Sequence, residues 1–275
     1  MKKYLAIAMA ALLLVCSLAS CASGSDGSID DYTPEVDYLI TDAGTFYFDE
    51  GEGETAILVN YVGKATSGDI VSVPATFNDR VVTEIGDRAF YNLSAIAEIT
   101  LPDSIQVIGD YAFARCTELT EVVIPDSVLE IGEGAFIECT SLAKVALGKG
   151  VVEIGDKAFN GCSALAEIPL PLGLETIGTG AFAFCKSLTA LTVPSTVISV
   201  GEMAYTDCTG LETITFISEG TEIADHAFEH ADGTNLKDKF VTDGLSAESR
   251  VLVYYNSLSD SPETEPVAEE VVDPE

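Results

Sequence analysis

Apolar and small residues return along this chain with a constant period of 23 residues. One slot holds Ile85, Ile108, Ile131, Ile154, Ile177, Val200 and Ile223. The next holds Gly86, Gly109, Gly132, Gly155, Gly178 and Gly201, then Ala224. Three residues on stands alanine in every copy (Ala89, Ala112, Ala135, Ala158, Ala181, Ala204, Ala227). An aromatic follows: Phe90, Phe113, Phe136, Phe159, Phe182, Tyr205, Phe228. Cys116, Cys139, Cys162, Cys185 and Cys208 share a further slot, flanked by Leu93 before and Ala231 after. A fixed period of this length without insertions predicts a solenoid.

Two periodicities alternate within a unit. From Ile131 the apolar positions Ala135, Phe136, Cys139 and Leu142 follow roughly helical spacing, which predicts one or two short helical turns. Val145 and Leu147 then alternate as a short strand, closed in most copies by Pro102, Pro125, Gly148, Pro171 or Pro194. Val151 and Ile154 lead to the next coil. A single unit cannot cover its own apolar face, so stacking is obligatory. The repeated glycine fits either a bend at positive φ or a close backbone approach. No phosphate-cradling glycine motif occurs.

The pattern I-G-x-x-A-F-x-x-C-x-x-L-x-x-V-x-I-P resembles the short BspA-like leucine-rich repeat of bacterial surface proteins, over roughly residues 70 to 235. The fold class it implies is a repeat solenoid of about seven 23-residue coils, with short helical turns and a cap at each end. The resemblance implies a curved array displayed on a cell surface, with some members acting as adhesins for host matrix proteins, and no catalytic residues. Where ordinary leucine-rich repeats carry asparagine, this chain has Ser104, Ser127, Gly150, Gly173 and Thr196, so no asparagine ladder is expected.

Outside the array the pattern changes. Residues 1–20 read as an export signal: Lys2 and Lys3 precede an apolar run from Leu5 to Val15 that is too short to span a membrane. Leu18-Ala19-Ser20-Cys21 resembles the bacterial lipobox, which makes Cys21 the expected lipidation site and the only expected anchor. Residues 21–36 are small, polar and acidic, a flexible tether. Residues 37–84 keep strand-like alternation at 46–48, 56–61 and 70–73, and predict an N-terminal β cap with a partial coil. The array spans 85–240, a closing strand is expected within 241–258, and the acidic, proline-containing 259–275 reads as a disordered tail.

Charge narrows the function. The formal net charge is −32, and removal of residues 1–20, which takes Lys2 and Lys3 and no acid, makes it −34. That argues against nucleic acid and against attraction to anionic lipid. Cys16 lies in the leader; the five repeat cysteines should lie about 5 Å apart and behave as a buried ladder of free thiols. No C-x-x-C pair suggests a metal site. The acidic turn from Asp49 to Glu54 lacks the order of a calcium loop.

One stretch, His226-Ala227-Phe228-Glu229-His230, fits the H-x-x-E-H zinc-protease pattern by letter. Its Ala and Phe are the obligatory core pair of the repeat, and its two histidines are the only ones in the chain. Without another histidine, no Ser-His-Asp or Cys-His arrangement is available. The chain is therefore not expected to be an enzyme, and no cofactor or metal is expected.

Two functions remain, a binding module or a structural envelope scaffold without a soluble ligand. The outward strand positions are Thr100, Val123, Ala146, Pro169, Thr192 and Thr215, beside Glu98, Glu121, Lys144, Glu167, Ala190 and Thr213. Of these, Glu98, Thr100, Glu121, Val123, Lys144, Ala146, Glu167, Pro169, Thr192 and Thr215 are the candidate ligand-binding residues. They carry no Tyr or Trp anchors. Their acids favour a basic partner segment on a protein; a glycan, a host matrix component or another cell-surface protein are the partner classes considered.

Overall fold

A computed structural model describes residues 37–63, 68–217, 221–224, 226–229, 241–242 and 250–253. The leader, Cys21, the tether, His230, Ala231 and the acidic tail lie outside the described residues.

The strands run in two lines along the coils. The first line is β4 (Asp69–Ser72), β7 (Ile96–Thr100), β9 (Glu121–Val123) and β11 (Lys144–Ala146), paired in parallel as one sheet. Further along, β14 (Ala190–Val193) and β16 (Thr213–Phe216) continue that face as a separate sheet. There β19 (Arg250–Val253) pairs antiparallel with β16, and β18 (Val241–Thr242) lies beyond it. The second line was not foreseen as strand. Residues ending in the repeated Ile form β6 (Arg80–Ile85), β8 (Val107–Ile108), β10 (Glu130–Ile131), β12 (Glu153–Ile154), β13 (Thr176–Ile177), β15 (Ser199–Val200) and β17 (Glu222–Ile223). These pair in parallel without a break. The N-terminal cap extends the same sheet: β3 (Thr55–Gly63) pairs parallel with β6, β2 (Gly44–Glu50) and β1 (Asp37–Ile40) follow antiparallel, and β5 (Thr76–Phe77) folds onto β6 through the turn at Asn78 and Asp79.

The expected helical turns are absent: no helix occurs among the described residues. The reason lies in where the backbone N–H groups point. Arg88, Phe90 and Asn92 donate to the carbonyls of Asp110, Ala112 and Ala114 in the following coil, at 2.9, 2.8 and 2.7 Å. The intervening Ala89, Tyr91 and Leu93 donate back three residues, to Gly86, Arg88 and Phe90. An α-helix would send every N–H back four residues and leave none for the neighbouring coil. Splitting the donors requires left-handed residues at two fixed slots. Arg88 (φ 59°), Tyr111 (57°) and Lys157 (56°) fill one; Asn92 (61°), Arg115 (63°) and Glu138 (59°) fill the other.

The repeated glycine does a different job from the bend. Its φ is not left-handed at Gly132 or Gly155. A Cβ on Gly132 would lie 2.7 Å from Asp110 Oδ1 and 2.8 Å from the carbonyl carbon of Gly109. Of the two alternatives, close approach is the operative one. Asp110 Oδ1 accepts from the Glu133 N–H at 2.8 Å, as Asp87 Oδ1 does from Asp110 and Asp156 Oδ1 from Thr179. Hydroxyls stand in for the missing asparagine ladder: Ser104, Ser127 and Thr196 donate to Val82, Ile105 and Leu174 carbonyls at 2.7, 2.6 and 2.6 Å.

The core is a set of columns. The aromatic slot forms one stack from Phe90 to Phe228, with successive ring centroids 5.0 to 5.8 Å apart. Tyr61 and Phe46 continue it into the cap. The five cysteines are buried and free. Each thiol donates to the carbonyl of the aromatic residue in the preceding coil, as Cys139 does to Phe113 (3.0 Å) and Cys162 to Phe136 (3.2 Å). Burial pushes the Cys116 and Cys208 thiols up to about 12, so they stay protonated and unreactive. One ring departs from the pattern. Tyr205 is fully buried and its hydroxyl has no hydrogen-bond partner among the described residues. Since an unmet buried hydroxyl costs about 1–3 kcal/mol, Tyr205→Phe should stabilise the protein by about 1–2 kcal/mol. Equilibrium unfolding in urea checks this, and a loss of stability would show that the hydroxyl is satisfied.

Candidate binding face

Because strand side chains alternate, Val122, Val145 and Leu191 point into the core and their neighbours point out. All ten candidate positions lie at the surface and none is buried. The register aligns Glu98 with Glu121, Lys144 with Glu121, and Ala146 with Val123. Thr192 aligns with Thr215 on the second sheet. Glu167 meets Lys144 through one isolated bridge.

The face is not continuous. Between β11 and β14 the coil containing Glu167, Pro169 and Pro171 forms no strand on this face. Pro169 has no N–H to donate to a neighbouring strand, and proline is confined to edges and interruptions for that reason. The expectation of six aligned coils is thereby corrected. Glu98, Thr100, Glu121, Val123, Lys144 and Ala146 form one group, and Thr192 and Thr215 form another beyond the break.

Four of the first group, Glu98, Thr100, Glu121 and Val123, line an open hollow of about 360 Å³ together with Asp103 and Pro125, among others. Val123 projects into solvent at 57% exposure. Lys144 Nζ donates to Glu121 Oε1 at 2.7 Å, and that carboxylate raises the lysine's affinity for its proton. The hollow's lining thus combines exposed apolar surface with the acids Glu98, Asp103 and Glu121, a chemistry complementary to a cationic group. Sequence reasoning missed Asp103 and Pro125, because they follow the strand and only the bend brings them beside Thr100 and Val123.

On the turn side Arg88, Arg115 and Lys157 are tied across coils. The Arg88 guanidinium lies 5.4 Å from the centre of the Tyr111 ring. Tyr111 donates its hydroxyl proton to Glu133, which raises the tyrosine's pKa to about 12, and Lys157 lies 3.8 Å from the same carboxylate. Arg115 pairs with Glu138 at 2.7 Å. Side chains that satisfy one another across coils leave less charge free for a ligand than the strand face does.

His226 Nδ1 contacts Glu229 on the exposed turn side, and His230 lies outside the described residues. Among the described residues no group of three His, Cys, Asp or Glu side chains is placed to hold a metal ion. Among them, too, no helix is long and apolar enough to cross a membrane.

Several solved structures share this architecture. A leucine rich cell surface protein of Faecalibacterium prausnitzii matches with 27% identity and a TM-score of 0.52, over 76% of this chain and 58% of that one. A leucine-rich repeat protein of Bacteroides ovatus matches with 26% identity and a TM-score of 0.52, over 70% and 57%. The chain therefore covers less than two thirds of the length of either. No curated protein matches. The BspA type leucine rich repeat region matches in 6 copies across residues 83–209 and 175–246, more than half of the chain, and the protein belongs to that family.

Proposed function

We propose that this is a lipid-anchored bacterial surface protein whose strand face binds an extended, basic segment of a partner protein, in the manner of an adhesin. The family is one of surface and adhesin-like proteins in general, and leucine-rich repeat proteins generally mediate protein binding. The observation that carries the reading is the hollow over β7 and β9, which Glu98, Asp103, Glu121 and exposed Val123 line together. Opposite charges there accelerate encounter and favour cationic partners over acidic ones. A glycan or a host matrix component is the other ligand class to screen.

Replacing Thr100 and Val123 together with Arg should reduce binding at least tenfold, since both point outward and the new charges oppose a basic partner. Thr192→Arg, beyond the Pro169 break, should change affinity less than twofold. Surface plasmon resonance against immobilised matrix proteins and mucin glycans measures both. Loss of binding in the Thr192 variant alone would move the site to the second sheet. A deletion strain with a damaged envelope, and no ligand in the screen, would favour the scaffold reading, which the lack of aromatic anchors on this face supports.

The anchor proposal rests on Cys21 following the apolar leader, with residues 21–36 as tether and 259–275 as a free acidic tail. Two or more acyl chains hold a protein stably, at about 0.8 kcal/mol per buried CH₂. A net charge near −34 gives the rest of the chain no affinity for anionic lipid. Cys21→Ala should therefore shift the protein from the membrane pellet to the soluble fraction. Persistence in the pellet would indicate retention by another protein.

A further inference from the structure

The N-terminal cap presents a second surface, independent of the strand face. Strand β1 ends the large sheet among the described residues and pairs with β2 alone. Its register sets Asp37 against Phe48, Tyr38 against Tyr47, Leu39 against Phe46 and Ile40 against Thr45. The Thr41 N–H donates to the Gly44 carbonyl at 2.8 Å. Hydrogen-bonded and non-bonded pairs alternate along an antiparallel ladder. Leu39 and Asp37 therefore direct their backbone groups at β2, and the N–H and C=O of Tyr38 and Ile40 face the open edge.

The side chains point to what would fill that edge. Tyr38 and Ile40 are 59% and 70% exposed on the outer face, and the Tyr38 ring lies 6.1 Å from that of Tyr47. Leu39 packs against the core yet is only partly buried, whereas Phe46 and Phe48 on the next strand are fully covered. Among the described residues the core is thus left open on the side where a further strand would lie. Residues 37–63 contain six acids, Asp37, Asp42, Asp49, Glu50, Glu52 and Glu54, and no Lys or Arg. A second copy of this chain would bring its own six acids to the same place, so like charge disfavours self-pairing.

We propose that β1 accepts an extended basic segment of a partner protein as an added strand. Main-chain bonds to Tyr38 and Ile40 would supply the docking, as in other strand additions. Apolar side chains at alternate positions would cover Tyr38 and Ile40 on the outer face. Lys or Arg near the ends would face Asp37 and Asp42.

The test uses a dye-labelled peptide, Lys-Val-Lys-Val-Thr-Val-Lys, titrated against the protein by fluorescence anisotropy at low and high salt. Binding should weaken with salt, and the amides of Tyr38 and Ile40 should exchange more slowly in the complex. Ile40→Pro removes one outward N–H and no bond to β2, a substitution that edge strands tolerate; it should cost at least tenfold in affinity. The pair Asp37→Lys and Asp42→Lys, which leaves the backbone untouched, should cost a similar factor. The Thr100→Arg, Val123→Arg protein should bind the peptide normally, which separates this site from the strand face. Unchanged affinity in both β1 variants would overturn the proposal. So would equal binding of the peptide with Glu in place of Lys. Capture of a neutral glycan, lost with Tyr47→Ala and kept with Ile40→Pro, would make the patch a sugar platform instead.

Discussion

Phe159→Asp should abolish cooperative folding of the array, and Thr100→Asp should leave stability within about 0.5 kcal/mol. Phe159 is fully buried, with its ring stacked 5.3 Å from Phe136 and 5.6 Å from Phe182. Truncation to alanine at such a site costs about 3–5 kcal/mol through lost contact and the cavity. A carboxylate adds the cost of an unpaired buried charge, and together these rival the 5–15 kcal/mol that holds a whole domain folded. Each coil touches only its neighbours, so a broken centre uncouples the two halves. Circular dichroism with urea titration reads the difference, and equal midpoints for the two variants would refute the register described above.

Gly155→Ala is the second large effect, and it comes from a single methyl group. A Cβ there would meet Ile131 O and the Gly132 carbonyl carbon at 2.8 Å and Glu133 N at 3.0 Å. All three are backbone atoms of the preceding coil, so no rotamer change relieves the overlap and the coils must part. The expected loss is about 3 kcal/mol or more, at the upper end of overpacking costs. Gly180→Ala is the control. Its φ of +62° is left-handed, but the added atom would meet nothing closer than 3.5 Å, so about 1–2 kcal/mol is expected. The chain itself displays the contrast: Arg88, Tyr111 and Lys157 occupy the Gly180 slot in other coils. At the Gly155 slot the one replacement is Ala224, in the last described coil. There the Met203 N–H bonds His226, 23 positions on, where the equivalent bonds elsewhere span 22. A loss at Gly155 no greater than that at Gly180 would remove close approach as the reason for the glycine column.

The repeat, its phase and its inward side chains were legible in the sequence, because stacked coils force the same residue type into the same slot. Ala89, Phe90 and Cys116 could each be placed in the core by counting. The outward set was legible too, since strand alternation fixes which side faces solvent. Two things misled the reading of the turn side. Spacing close to 3.6 looks helical whether or not the N–H groups bond within the turn, and a left-handed Arg88 or Tyr111 leaves no mark in composition. The second strand line escaped for a different reason. Pairs such as Glu130-Ile131 are too short to show alternation, and they become strand only because neighbouring coils supply partners on both sides.

By itself the sequence determined that this is a capped array of 23-residue coils of the BspA type, acidic throughout, with a ring, a thiol and a glycine at fixed phase. Those properties follow from residue identity at a fixed period, which no folding detail alters. The tertiary structure decided what the period does not encode: where each backbone donor points. It sent alternate turn N–H groups to the next coil and made the glycines contact points. It broke the strand face at Pro169, where a strand partner would need a donor that proline lacks, and among the described residues it left the outer edge of β1 without a further strand. Hydrogen-bond direction depends on the neighbouring coil as much as on the residue, and so it emerges only when the coils are stacked.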